Sequence, residues 1–168
     1  SQNPPYELEF NARIRQTECL TNQNKKSILR KLNRMARSSK NKSYLSQIYY
    51  AIGNVHLNDK DTTEAVKAYE KGLTEGDGTG YGSGMLNLSL GKIYWEQEKF
   101  TKAKTNYEKA KQLLGEDTPE KEEIAFRDNV LQELLQYAEV IEEKDELLYW
   151  APLPQEQLLK IIDERIKE

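Results

Sequence analysis

The residues that could carry chemistry are few and lie far apart in the chain. The 168 residues include one cysteine, Cys19, and one histidine, His56. A disulfide needs two cysteines and a thiolate zinc site needs several, so neither can form within this sequence. Neighbouring Lys and Arg residues would activate Cys19 as a nucleophile, but a small buried residue at a helix end is the favoured interpretation. We predict that His56 packs inside a helix pair, and we expect neither metal nor cofactor.

Carboxylates are dense near the end of the chain and could be imagined as a general acid and base. A catalytic pair needs burial that separates two pKa values. Five acids within eight residues of a helix must instead point mostly to water, which predicts a solvated or partner-facing surface and a protein that is not an enzyme. The five are Glu139, Glu142, Glu143, Asp145 and Glu146.

A glycine-rich stretch at residues 76–84 invites comparison with a phosphate-binding loop. Glycine occupies every second position from Gly76 to Gly84, but the spacing G-x-G-x-x-G never closes and no Gly-Lys-Ser/Thr follows. We therefore predict a flexible connector here.

Charge is distributed unevenly along the chain. Residues 1–42 carry ten Lys/Arg against three Asp/Glu, residues 43–115 carry nine of each, and residues 116–168 carry six against sixteen. The run 25–42 has eight basic residues and no acid, yet no aromatic residue lies there for base stacking. We therefore expect no nucleic acid as partner. Residues 25–42 either bind an acidic protein surface, such as a neighbouring repeat or the acidic end of another copy, or form a plain solvated face, and both alternatives stay open.

Apolar residues recur every three or four positions, which is typical of amphipathic helices, and the pattern repeats. Four pairs of residues share one offset of 38: Gly53 and Gly91, Ala65 and Ala103, Tyr69 and Tyr107, Gly72 and Ala110. Glycine inside a helix costs about 1 kcal/mol relative to alanine. We therefore expect another helix backbone to approach closely at the two glycines, and the tyrosines to fill the space between neighbouring helix hairpins.

This pattern resembles the tetratricopeptide repeat, whose usual period is about 34 residues. The four extra residues fall in the glycine-rich stretch. The resemblance implies a concave face lined by the first helix of each repeat, where partners bind. Carried onto this sequence, the positions are Gln47, Tyr50, Asn54, Leu57 and Asn58 in one repeat, and Met85, Leu88, Lys92, Trp95 and Glu96 in the next. Tyr50 stands where a carboxylate-clamp lysine would be, which argues against a receptor for chaperone tails.

We predict an all-α protein, an α-α solenoid of antiparallel helix hairpins with about eight helices. Residues 1–42 form a basic, degenerate helix pair, residues 43–115 form two repeats joined by the connector 76–84, and residues 116–168 form acidic capping helices. Whether residues 119–150 make one helix or two stays open.

Several stretches resemble the tetratricopeptide proteins of the SprE/PorW type, outer-membrane lipoproteins of Bacteroidota needed for gliding motility and type IX secretion. They include NKSYLSQIYYAIGNVHLNDKDTTEAVKAYEKGL and LNLSLGKIYWEQEKFTKAKTNYEKA. The resemblance implies a non-enzymatic scaffold at the periplasmic face of the outer membrane, with secretion or motility components as partners. No apolar run is long enough for this segment to insert in a membrane. The alternative is a generic cytoplasmic tetratricopeptide module that binds peptides or assists a chaperone.

Overall fold

The computed structural model describes residues 25–115, 118–150 and 157, and within these ranges the chain is helical and contains no strand. Six α-helices and one 3-10 helix follow one another: α1 (Lys25–Ala36), the 3-10 helix (Ser39–Tyr44), α2 (Leu45–Asn58), α3 (Thr62–Glu75), α4 (Gly80–Glu96), α5 (Phe100–Leu114) and α6 (Lys121–Trp150). The predicted all-α class is confirmed, and α2–α3 and α4–α5 are the two hairpins of an α-α solenoid. The additional helices predicted at residues 4–20 and 155–166 lie outside the described residues, apart from residue 157.

The same tight turn closes both hairpins. Its left-handed residue is Lys60 in the first turn (φ 60°) and Glu98 in the second (φ 58°), again 38 positions apart. The amide of Lys60 donates to the carbonyl of Leu57 at 2.9 Å, and the amide of Glu98 donates to that of Trp95 at 3.0 Å. Identical turns give the two hairpins the same geometry, so equivalent positions of the repeat face the same way.

Each hairpin is closed by a tyrosine ring that packs against a glycine of the opposite helix. Tyr69 of α3 and Tyr107 of α5 are fully buried. A Cβ built on Gly53 would lie 2.6 Å from Cζ of Tyr69, and one built on Gly91 would lie 3.2 Å from Cδ2 of Tyr107. The glycines therefore admit an aromatic ring within the hairpin. The expectation of a close helix backbone there was wrong, because ring atoms are the nearest neighbours of both glycines. The expectation that the tyrosines fill the space between neighbouring hairpins stays a prediction.

The glycine-rich stretch is only partly a connector. Helix α4 begins at Gly80, so the connector covers residues 76–79 alone. Gly84 is buried, and a Cβ on it would lie 2.6 Å from Cδ2 of Leu114. The prediction of a flexible connector over 76–84 was wrong for its second half, because the four extra residues supply about one helical turn. They lengthen the first helix of the second repeat.

Helix α1 packs its apolar side on the first hairpin. Ile28 and Leu32 are buried with Ile48, Ala51 and Ile52 of α2. The chain divides into two compact units with the boundary between Asn129 and Val130, inside α6. Helix α6 runs unbroken from Lys121 to Trp150, which answers the question of one helix or two. The predicted segment boundaries at 42/43 and 115/116 stay predictions.

The two glycine positions make a matched pair for a stability test. We expect Gly53→Ala to lower the free energy of unfolding, because an overpacking cost of about 1–3 kcal/mol exceeds the gain in helix propensity of about 1 kcal/mol. Gly91→Ala should be close to neutral, since the Tyr107 ring needs to move by only a few tenths of an ångström. Urea unfolding of both variants checks this. Equal losses at the two sites would contradict the ring-against-glycine account.

Candidate partner-binding face

Helices α2 and α4 lie side by side, so the five candidate positions on each helix form two neighbouring strips. The α2 strip consists of Gln47, Tyr50, Asn54, Leu57 and Asn58, and the α4 strip consists of Met85, Leu88, Lys92, Trp95 and Glu96. The hydroxyls of Ser46 and Ser83 share a buried hydrogen bond of 3.1 Å. Gln47 also lies against Gly82, where a Cβ would come within 3.3 Å of Cγ of Gln47. The ten candidate positions recur at helical spacing along these two helices. The two strips therefore meet where their helices begin.

The α2 strip is open and carries no charge. Gln47 and Tyr50 are half-buried, Leu57 is 39% exposed and Asn58 is exposed. Asn54 is half-buried, and its side-chain oxygen accepts a 2.7 Å hydrogen bond from the hydroxyl of Tyr69. Asn54 thus has one polar atom committed to the hairpin core. What remains for a partner is an aromatic ring, an aliphatic side chain and amides.

The α4 strip is narrower than expected. Met85 is half-buried and Glu96 is exposed, but Leu88 is only 2% exposed and belongs to the core. The expectation of an exposed Leu88 was wrong because α4 packs against α2, α3 and α5, which leaves little of its circumference open. Its equivalent in the first repeat, Tyr50, is less enclosed.

Side chains of α6 cover the far end of the α4 strip. The Arg127 guanidinium lies 4.1 Å from the centre of the Trp95 ring, and Phe100 meets that ring edge-on at 6.1 Å. The amino group of Lys92 is 2.7 Å from the Glu123 carboxylate. Trp95 is therefore half-buried beneath a cation, and Lys92 is paired. Their assignment as contacts for a partner stays a prediction.

Tyr81 was missed at the sequence level. It lies four residues before Met85, so it extends the α4 strip by one turn, and it is 59% exposed. Partial burial raises the pKa of Tyr81, and nearby Glu120 and Tyr50 add to the effect. The signal was present in the sequence, because four residues added to the usual period equal about one helical turn.

A buried carboxylate fastens the first turns of α6 to α5. Asp128 is 5% exposed and accepts hydrogen bonds from Lys104 at 2.9 Å and from Lys111 at 3.1 Å. Burial alone would raise the pKa of Asp128, but the two lysines outweigh it and hold the pKa below its usual value. This contact fixes the residues that cover Trp95 and Lys92.

The other sequence candidates form no site within the residues that the structure describes. His56 is half-buried, and its Nδ1 lies 3.7 Å from the carboxylate of Asp61. No group of three potential metal ligands occurs in the described ranges. None of the described helices has the length and apolar character needed to cross a bilayer. Cys19 and the side chains of residues 139–146 lie outside the described residues.

Comparison with known families agrees with the hairpin geometry. The tetratricopeptide repeat model matches the chain twice, at residues 46–75 and at residues 86–113. These matches coincide with the α2–α3 and α4–α5 hairpins, each of which is therefore similar to a tetratricopeptide repeat. No curated protein matches it. Repeats of this class build binding surfaces for protein partners.

Replacing Asp128 tests the anchor of α6. We expect Asp128→Asn to lower the free energy of unfolding at pH 7 by about 1–3 kcal/mol, because two charge-assisted hydrogen bonds are lost. Since the pKa of Asp128 is lower in the folded protein than in the unfolded chain, its contribution is complete near neutral pH. It disappears as the pH falls from about 5 through the lowered pKa. Chemical unfolding at several pH values measures this; a constant difference between the two proteins down to the lowest pH would contradict it.

Proposed function

We propose that the chain is a protein-interaction scaffold whose binding surface is the open strip formed by Gln47, Tyr50, Leu57, Tyr81 and Met85. The observation that carries the proposal is the exposure of Leu57 and Tyr81 on adjoining helices of two tetratricopeptide repeats. Large apolar and aromatic side chains on a rigid surface lose little entropy when a partner covers them. Asn58 and Glu96 border the strip with polar groups.

The strip favours a partner segment whose contacts are mainly apolar and backbone-mediated. Lys92, the candidate cation of the strip, is paired with Glu123. Tyr50 occupies the place where a carboxylate-gripping repeat would need a lysine. Amides such as that of Gln47 suit the hydrogen-bonding groups of a peptide backbone. A C-terminal acidic tail is therefore a poor fit.

We further propose that the parent protein is an outer-membrane lipoprotein of the type IX secretion or gliding machinery, with this segment in the periplasm. The support is the likeness of residues 41–73 and 86–110 to the SprE/PorW type. The generic cytoplasmic module is the second candidate, and the two repeats support it equally. The cellular location of the full-length protein separates them.

Affinity capture tests both levels of this proposal. The bait is the chain, incubated separately with a cell-envelope extract and with a cytoplasmic extract of a Bacteroidota species that has type IX secretion. We expect secretion or motility proteins to bind the chain, and the variant Leu57→Ser/Tyr81→Ser to retain less than a tenth of them. The matched control is Lys67→Ser/Lys109→Ser, which changes two exposed residues on the second helices of the repeats; it should bind like the unchanged chain.

Each part of the proposal can fail separately. Equal binding by both variants would reject the strip as the binding surface. Specific capture of cytoplasmic proteins alone, lost with Leu57→Ser/Tyr81→Ser, would keep the scaffold and reject the secretion assignment. No specific partner in either extract would contradict the scaffold itself.

A further inference from the structure

Helix α1 and the residue that follows it carry a row of four cationic side chains on the exposed side, which we call the basic stripe. They are Lys26, Arg30, Arg34 and Arg37, all exposed. Their spacings of four, four and three residues place them along one face over about 16 Å. The opposite face holds Ile28 and Leu32, which are buried against α2. The stripe is thus held in place by the core beneath it.

The stripe has no counter-charge in the part of the chain that the structure describes. None of its four side chains makes an ion pair with a described residue. They line a surface depression of about 660 Å³ together with Leu29 and Asn33. By contrast Lys25, just outside the stripe, pairs with Asp59 at the end of α2. Four like charges along one helix face repel one another, and an anionic partner would relieve that repulsion.

The chemistry of the stripe favours carboxylates. Membrane binding by an amphipathic helix needs an apolar side free to enter the lipid, and that side of α1 is buried. Base stacking needs aromatic side chains, and none occurs between Leu20 and Ser43. Three of the four cations are arginines, whose guanidinium groups bind carboxylates with two parallel hydrogen bonds.

A carboxylate-rich partner is available in the same chain. Residues 116–168 carry sixteen Asp/Glu against six Lys/Arg. On α6, Glu122 and Glu133 are both exposed. Opposite charges on the basic stripe and on this segment suit contact between copies of the chain.

We propose that the basic stripe of one copy binds the acidic segment 116–168 of a second copy. The contact joins two different surfaces, so each pair retains one free basic stripe and one free acidic segment. Association therefore continues beyond the dimer as concentration rises. This surface is separate from the strip on α2 and α4, so neither proposal depends on the other.

Sedimentation velocity of the purified chain tests the proposal. We expect association at about 50 mM salt and monomers at about 500 mM, because exposed charge pairs are screened at high salt. The basic variant Arg30→Glu/Arg34→Glu and the acidic variant Glu122→Lys/Glu133→Lys should each associate at least tenfold more weakly than the unchanged chain. The matched control Lys99→Glu/Lys109→Glu makes the same charge change at two exposed residues of the second hairpin and should associate normally. Far-UV circular dichroism verifies that every variant is folded.

Mixing the two variants gives the decisive result. The basic variant keeps its acidic segment and the acidic variant keeps its basic stripe, so the mixture should associate although each variant alone associates weakly. Association between the two different variants would support head-to-tail pairing. Three results would each overturn the proposal. The unchanged chain could stay monomeric at low salt, the variants could associate normally, or the mixture could fail to pair. Stripe-dependent binding to single-stranded DNA or anionic vesicles without self-association would also overturn it and assign the stripe to that polyanion.

Discussion

The packing of one tyrosine ring against one glycine in each hairpin is the contact on which the repeat structure depends. Tyr69 over Gly53 and Tyr107 over Gly91 are fully buried and repeat at the same offset as the hairpin turns. In the first hairpin the ring can pack as it does only because Gly53 lacks a Cβ, whereas the second hairpin leaves almost enough room for a Cβ at Gly91. The contact between ring and glycine sets how closely the two helices of each hairpin approach. It thereby orients the outer faces of α2 and α4, on which the proposed strip lies.

The second determinant is the length of α4. A repeat four residues longer than usual gains one helical turn, and the turn is accommodated because Gly82 and Gly84 are buried without side chains. Ser83 joins Ser46 in the same layer. The additional turn carries Tyr81, the most exposed aromatic residue of the strip. A stretch with the composition of a linker thus both packs into the core and carries a residue of the proposed binding surface.

Much of the fold could be predicted from the sequence. The residues that repeat at the 38-residue offset are buried, and the spacing of buried residues follows from helix geometry. The candidate face was harder to predict. Leu88 is buried and Trp95 is covered by Arg127, since enclosure depends on which other helices flank α4. Tyr81 was overlooked because alternating glycines indicate a loop when read alone. The role of Asp128 could not be predicted from the sequence, because it depends on contacts with two lysines of another helix.

The central claim is that the chain binds a protein partner through the open strip of its two repeats. The most direct measurement is amide hydrogen exchange, read by mass spectrometry, with and without a captured partner. We predict slower exchange at the start of α4, around Tyr81 and Met85, and at the end of α2, around Leu57, while the outer faces of α3 and α5 are unchanged. Protection confined to α3 and α5 would contradict the account.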